Sequence, residues 1–100
     1  MTTLRAVLEE AVTDLDEVDG VRSGDDLEWL RGGRPFAALI GTAAEFRLDP
    51  LVAKAALRTP DTHPSSRGAD WVRFDPAVLD DHGMDRAEAW LASAWRQAGG

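Results

Sequence analysis

The two histidines, His63 and His82, are the side chains with the clearest potential for acid–base or metal chemistry. Each has carboxylates close in the sequence, Asp61 before the first and Asp80 and Asp81 before the second. Two imidazoles with neighbouring carboxylates are a donor set for a transition metal or a proton relay. Such a site requires the two segments to meet, and the sequence supplies no nucleophile to complete a catalytic centre. The sequence therefore favours the alternative that both histidines lie in loops.

A second group of polar side chains follows His63 in the same segment. Ser65, Ser66 and Arg67 offer two hydroxyls and a guanidinium beside the flexible Gly68, a combination that holds small anions such as phosphate. The segment from 59 to 70 has no apolar periodicity and is predicted to be a long loop. An anion site at His63, Ser65, Ser66 and Arg67 is therefore one hypothesis, and ordinary loop composition is the favoured alternative.

The excess negative charge of the chain lies entirely in its first 28 residues. From residue 29 onward nine acidic residues balance nine basic ones, so the formal charge of −7 is local. Within the first 28 residues, Arg5 and Arg22 face nine carboxylates: Glu9, Glu10, Asp14, Asp16, Glu17, Asp19, Asp25, Asp26 and Glu28. This asymmetry predicts a surface for another protein, formed by Glu9, Glu10, Asp14, Asp16 and Glu17, and it weighs against contact with nucleic acid there.

The same carboxylates suggest two alternatives to a protein surface. Glu10 and Asp14 have the (i, i+4) spacing that places side chains together on a helix, where their oxygens would share a divalent cation. Without a rigid loop that supplies further oxygen ligands, such a site would be weak and unselective. The simpler alternative is a solvated helix face that aids solubility.

Arginines and tryptophans in the predicted strands form a rival candidate surface. Trp29, Arg34, Arg47, Trp71 and Arg73, together with Arg31, would present the mixture of guanidinium and aromatic groups that stacks on bases or forms hot spots for partners. Alternation along a strand places Trp71 and Arg73 on one side. This surface is the basis of an alternative function, nucleic-acid binding, and the competing interpretation is that the tryptophans belong to the core.

Periodicity and turn residues predict the elements that position these groups. A first helix has apolar residues at helical spacing, and a Gly-Gly turn joins two strands in a hairpin. Asp49 followed by Pro50 is typical of a helix start, and Asp75 followed by Pro76 repeats it. Gly83 is expected to separate that second start from the last helix. The predicted elements are a helix at 3–17, strands at 21–23, 27–31, 35–40, 44–48 and 71–74, a helix from 50 to 57, and a helix from 84 to 98.

These elements predict one α+β domain over residues 1–100. Two amphipathic helices, one from each half of the chain, require a common apolar surface, which an antiparallel sheet of four to five strands provides. We therefore expect both helices on one face of the sheet, in the order α-β-β-β-α-β-α, with the other face partly open.

The stretch from Arg34 to Ile40 (RPFAALI), the stretch from Glu45 to Pro50 (EFRLDP), Trp71 to Phe74 (WVRF) and a tryptophan-bearing last helix resemble the YjbR-like (MmcQ/YjbR) family. The resemblance covers residues 30 to 97. It implies a compact domain with a frataxin-like arrangement of two helices on an antiparallel sheet. It implies no enzymatic activity, and some members are described as DNA-binding proteins of a double-wing type. These positions are mostly apolar, so the resemblance bears on the fold more than on the function.

Composition limits the remaining possibilities. The sequence has no cysteine, which excludes disulfides, thiolate nucleophiles and cysteine-based zinc sites. No segment has the roughly 20 apolar residues of a membrane span, and the first residues do not form a signal peptide. We therefore expect a cytoplasmic binding module without catalytic activity, cofactor or membrane partner. It is expected to bind another protein through either the acidic N-terminal helix or the uncovered face of the sheet.

Overall fold

The computed structural model describes residues 2–100. In this part of the chain the elements are helices α1 (Leu4–Val12), α2 (Pro50–Ala56) and α3 (Asp81–Gly99), and strands β1 (Val18–Ser23), β2 (Asp26–Arg31), β3 (Arg34–Ile40), β4 (Ala43–Arg47), β5 (Thr62–Pro64) and β6 (Trp71–Phe74).

All neighbouring strands pair antiparallel in a single six-stranded sheet, in the order β1-β2-β3-β4-β6-β5. The predicted α+β class is confirmed, with one strand more than the expected four to five. The additional strand, β5, lies inside the segment from 59 to 70, which is predicted to be a loop. A segment of three residues that ends in Pro64 is too short to show the alternation of apolar and polar residues typical of a strand. β5 is therefore defined by its pairing with β6.

Alternation along the central strands separates an apolar face from a polar one. Phe46 on β4 and Phe74 on β6 are fully buried on the helix side, and Trp90 of α3 packs on both of them. The Phe74 and Trp90 rings meet edge to face with centroids 5.4 Å apart, and those of Phe46 and Trp90 are 6.1 Å apart. Leu8 of α1 belongs to the same core. As predicted, the first and last helices cover one face of the sheet.

The first helix is shorter than its apolar pattern suggests. It ends at Val12 rather than 17, because Thr13 bonds its hydroxyl to the Glu10 carbonyl at 2.6 Å and competes with the helical pattern. Glu17 then takes a left-handed backbone conformation, with φ of 60°, and turns the chain into β1. Gly20, which precedes the predicted strand at 21–23, is a residue of β1.

The last helix begins earlier than predicted. It runs through Gly83, because Asp80 caps its first turn and accepts the Gly83 amide at 2.7 Å. The expected helical turn after Asp75 and Pro76 is not formed. The Asp75 carboxylate instead accepts the hydroxyl of Thr42 at 3.0 Å.

Removing the cap of α3 should destabilise the whole domain. Asp80→Ala is expected to lower the free energy of unfolding by about 1 kcal/mol, since an N-cap carboxylate satisfies an amide that has no helical partner. Asp80→Asn is the matched control, because asparagine caps helices about as well as aspartate. Urea denaturation measures both variants, and equal losses for alanine and asparagine would contradict the capping role.

Candidate functional site

A row of polar side chains crosses the sheet face that lies opposite the helices, which we call the open face. Adjacent strands place these residues side by side: Glu28 on β2 pairs with Ala38 on β3, and Ala38 pairs with Glu45 on β4. Glu45 is next to Arg73 on β6, which pairs with His63 on β5. Because the side chain of Ala38 between them is small, a gap separates the side chains of Glu28 and Glu45.

The segment between β5 and β6 closes this gap with Arg67. Its Nη1 atom donates to Oε2 of Glu28 at 2.7 Å, and its Nε atom donates to Oε1 of Glu45 at 2.9 Å. The Ser65 hydroxyl donates to the second oxygen of Glu45 at 2.6 Å. We call this arrangement the Arg67 bridge. It joins β2 to β4 across β3 and satisfies both oxygens of the Glu45 carboxylate.

The electrostatics of the open face are balanced internally. Glu45 is only 5% exposed, so its charge needs the partners that surround it. Partial burial lowers the pKa of Arg67, but hydrogen bonds and charges from Glu28 and Glu45 outweigh burial, and the net pKa is raised. Arg73 lies 4.0 Å from Glu45 and 3.9 Å from Asp75. The Arg67 guanidinium is thus hydrogen-bonded to carboxylates of the same molecule, and that of Arg73 lies near two of them at longer distances.

The predicted loop site is therefore located on the open face but differs in character. Ser65 and Arg67 direct their polar groups at Glu45, whereas Ser66 is exposed and His63 lies further along the row. A carboxylate of the protein occupies the place that an external anion would take. Glu45 itself was missed as a site residue, since the sequence shows only that it alternates with apolar neighbours. The pattern that could have identified Glu45 is a charged residue on the polar side of a central strand.

The predicted surface of arginines and tryptophans is split by the structure. Arg47, Trp71 and Arg73 share the open face, where the Arg67 guanidinium carbon lies 5.2 Å from the centre of the Trp71 ring. Trp29 is wrong as a member of this surface: it is 4% exposed and belongs to the core, because alternation along β2 turns it toward the helices. Arg34 is also misplaced, since it lies at the β2–β3 hairpin, beside the end of α3.

The two histidines do not form a common site. His63 lies on β5 at the open face, and His82 lies in the first turn of α3, on the other side of the sheet. Within residues 2–100 there is no group of three or more histidine, aspartate or glutamate side chains placed to hold a metal ion.

The predicted acidic surface, Glu9 to Glu17, lies on α1 and on the connection from α1 to β1. Glu9 and Glu10 are on α1, whereas Asp14, Asp16 and Glu17 are in the connection to β1. The expected (i, i+4) pair of Glu10 and Asp14 on one helix is wrong, because α1 ends between them. Among the described residues, Glu9 lies 3.8 Å from Arg5 and Glu17 lies 3.6 Å from Arg31, while Glu10, Asp14 and Asp16 form no ion pair.

A depression of about 500 Å³ separates α1 from β1. Val12 of α1 and Leu27 and Trp29 of β2 give it apolar walls, and Glu9 contributes a carboxylate. Gly20 and Arg22 of β1 complete the lining. No pattern in the sequence indicates this depression, because it depends on how α1 lies against the edge of the sheet.

No helix in the described part of the chain combines the length and apolar character needed to cross a membrane. In comparisons with known proteins, no family model, curated protein or solved structure matches the chain, and its resemblance to the YjbR-like family stays a prediction.

Proposed function

We propose that the chain is a protein-binding module without catalytic activity, and that its partner contacts an acidic edge formed by α1, the α1–β1 connection and β1. The acidic edge comprises Glu9, Glu10, Asp14, Asp16, Glu17 and Asp19. The observation that carries the proposal is that this negative charge is concentrated at one side and largely uncompensated. An uncompensated patch attracts a partner of opposite charge and accelerates its association.

The contrast with the open face supports this choice. Arg67 there is bonded to Glu28 and Glu45, and Arg73 lies 4.0 Å from Glu45 and 3.9 Å from Asp75. The alternative function, nucleic-acid binding, would require these guanidinium groups to exchange their carboxylates for phosphates. Arg47 is the cation of this face with no ion pair among the described residues, and one such contact gives weak, salt-sensitive binding.

Chemical groups on the open face also support a role without catalysis. The Ser65 hydroxyl and the Arg67 guanidinium both donate hydrogen bonds to the Glu45 carboxylate. These three groups therefore bond to one another. Their arrangement stabilises the position of the β5–β6 connection.

The proposal is tested by capture of partners from a native extract with three forms of the protein. These are the wild type, an edge variant with Glu9, Glu10, Asp14, Asp16 and Glu17 changed to their amides, and a control with Asp61, Asp70, Asp81, Asp85 and Glu88 changed to theirs. The control removes the same number of charges elsewhere. A protein held by wild type and control, and then purified, should bind the edge variant about tenfold more weakly or worse.

Two results would overturn the proposal. One is equal affinity of the purified partner for all three forms. The other is retention of nucleic acid that is abolished by Arg47→Ala and unaffected in the edge variant, which would favour the open face.

A further inference from the structure

The acidic edge contains a free strand. β1 pairs with β2 on one side and is the outermost strand of the sheet, with five of its six residues exposed. The strand at the opposite edge, β5, has three residues and ends in Pro64, which has no amide hydrogen to donate. An edge strand presents unpaired amide and carbonyl groups at alternate residues, and these are a template for another strand.

We propose that the acidic edge binds an extended, basic segment of its partner, which adds to β1 as a further strand of the sheet. This inference rests on the proposed function and specifies how the partner binds. Main-chain hydrogen bonds to β1 would supply affinity, and alternate side chains would supply specificity.

The depression between α1 and β1 provides the place for half of those side chains. A strand added to β1 directs alternate residues to the helix side, where Glu9 and Val12 face the sheet. Gly20 has no side chain, and a Cβ atom built there would lie 3.7 Å from the Trp29 ring. The partner's side chains can therefore reach apolar surface of Val12 and Trp29, with the carboxylate of Glu9 nearby.

Charge decides which kind of strand fits. The other alternate residues of an added strand would lie on the open face beside Asp19 and Val21. Arg5 donates to the Asp25 carbonyl at 2.7 Å and so is already engaged. A second copy of this chain would bring two acidic edges together, which like charges oppose. On the helix side Arg22 lies with Glu9 in the lining of the depression, so apolar residues fit there. A strand with apolar residues toward the depression and basic residues toward Asp19 on the open face is complementary on both faces.

The test uses the whole protein and a fluorescently labelled peptide in which arginine and valine alternate. Two further peptides have the same sequence with methylated backbone amides. In one peptide the amides of the arginines are methylated, and in the other those of the valines. In an antiparallel pair, alternate residues direct their amides to the same neighbour, so methylation of one set blocks the protein-facing edge. Fluorescence anisotropy should show binding of the parent peptide, about tenfold or greater weakening for one methylated peptide, and little change for the other.

The outcomes separate this inference from the function on which it rests. If both methylated peptides bind as tightly as the parent, the acidic edge acts by charge alone, and strand addition is wrong while the proposed function stands. If the parent peptide binds the edge variant as tightly as the wild type, neither proposal holds. Protection of the β1 amides from hydrogen exchange by the parent peptide would support strand addition, and protection confined to α1 would contradict it.

Substitutions in the protein test the same contact with the peptide, and one of them is a matched control. Asp19→Asn should weaken binding of the parent peptide, since its carboxylate lies on the face that receives the arginines, and Glu9→Gln should weaken it less, because the valines face the depression. Glu88→Gln removes an equal charge from an exposed position on α3 and should leave the affinity unchanged. Equal weakening by all three would indicate a general charge effect and count against the proposed location.

Discussion

Replacement of Phe46 by alanine is expected to lower the free energy of unfolding by about 3 to 5 kcal/mol. Phe46 is fully buried on β4, and its ring packs on Trp90 of α3. Its loss removes apolar contact and leaves a cavity between the sheet and the last helix. Because domains of this size are stable by only about 5 to 15 kcal/mol, this loss is a large fraction of the total stability.

Urea denaturation followed by tryptophan fluorescence measures this loss. Phe46→Leu is the matched variant, since it retains most of the side-chain volume and should lose less than half as much stability. A loss below about 1 kcal/mol for Phe46→Ala would contradict a rigid core at this position.

The second large effect is expected at Glu45. Glu45→Ala should cost about 3 kcal/mol, because it removes the shared partner of Arg67 and Ser65 from a buried position. Arg67 retains Glu28, at a more exposed position, so this loss lies at the low end for a buried ion pair.

A double-mutant cycle identifies the source of that loss. Glu45→Ala, Arg67→Ala and the double variant are compared by urea denaturation, with coupling expected because the two side chains are in direct contact. Additive losses would show that Glu45 acts without Arg67 and would contradict the Arg67 bridge. Glu88→Ala, at an exposed helical site, is the control and should change stability little.

Much of the fold could be predicted because local signals and tertiary packing agree. The Gly32-Gly33 turn between β2 and β3 and the cap-and-proline start of α2 both form as the sequence predicts. The predictions are wrong where a local signal in the sequence conflicts with a packing contact in the fold. Gly83 is a weak helix former and predicts a break, yet the Asp80 cap holds it in the first turn of α3, where an added Cβ atom would lie 3.6 Å from Phe74.

Less of the candidate site could be predicted, because it depends on which strands become neighbours. Alternation correctly placed Arg73 and Trp71 together, but it could not tell which side of β2 would receive Trp29. The contact of Arg67 with Glu28 spans 39 residues, and no local pattern encodes it. The free edge of β1 likewise follows from strand order, which is a property of the complete sheet.

The Arg67 bridge also has a consequence for how the domain opens. Strands β1 to β4 follow one another as hairpins, whereas β5 and β6 arrive later in the chain and join the sheet at β4. A loop from this later part that is bonded to Glu28 on β2 spans the junction between the two parts. Fluctuations that detach the β5–β6 hairpin must therefore break contacts at β2 as well, so the bridge couples early and late segments into one cooperative unit.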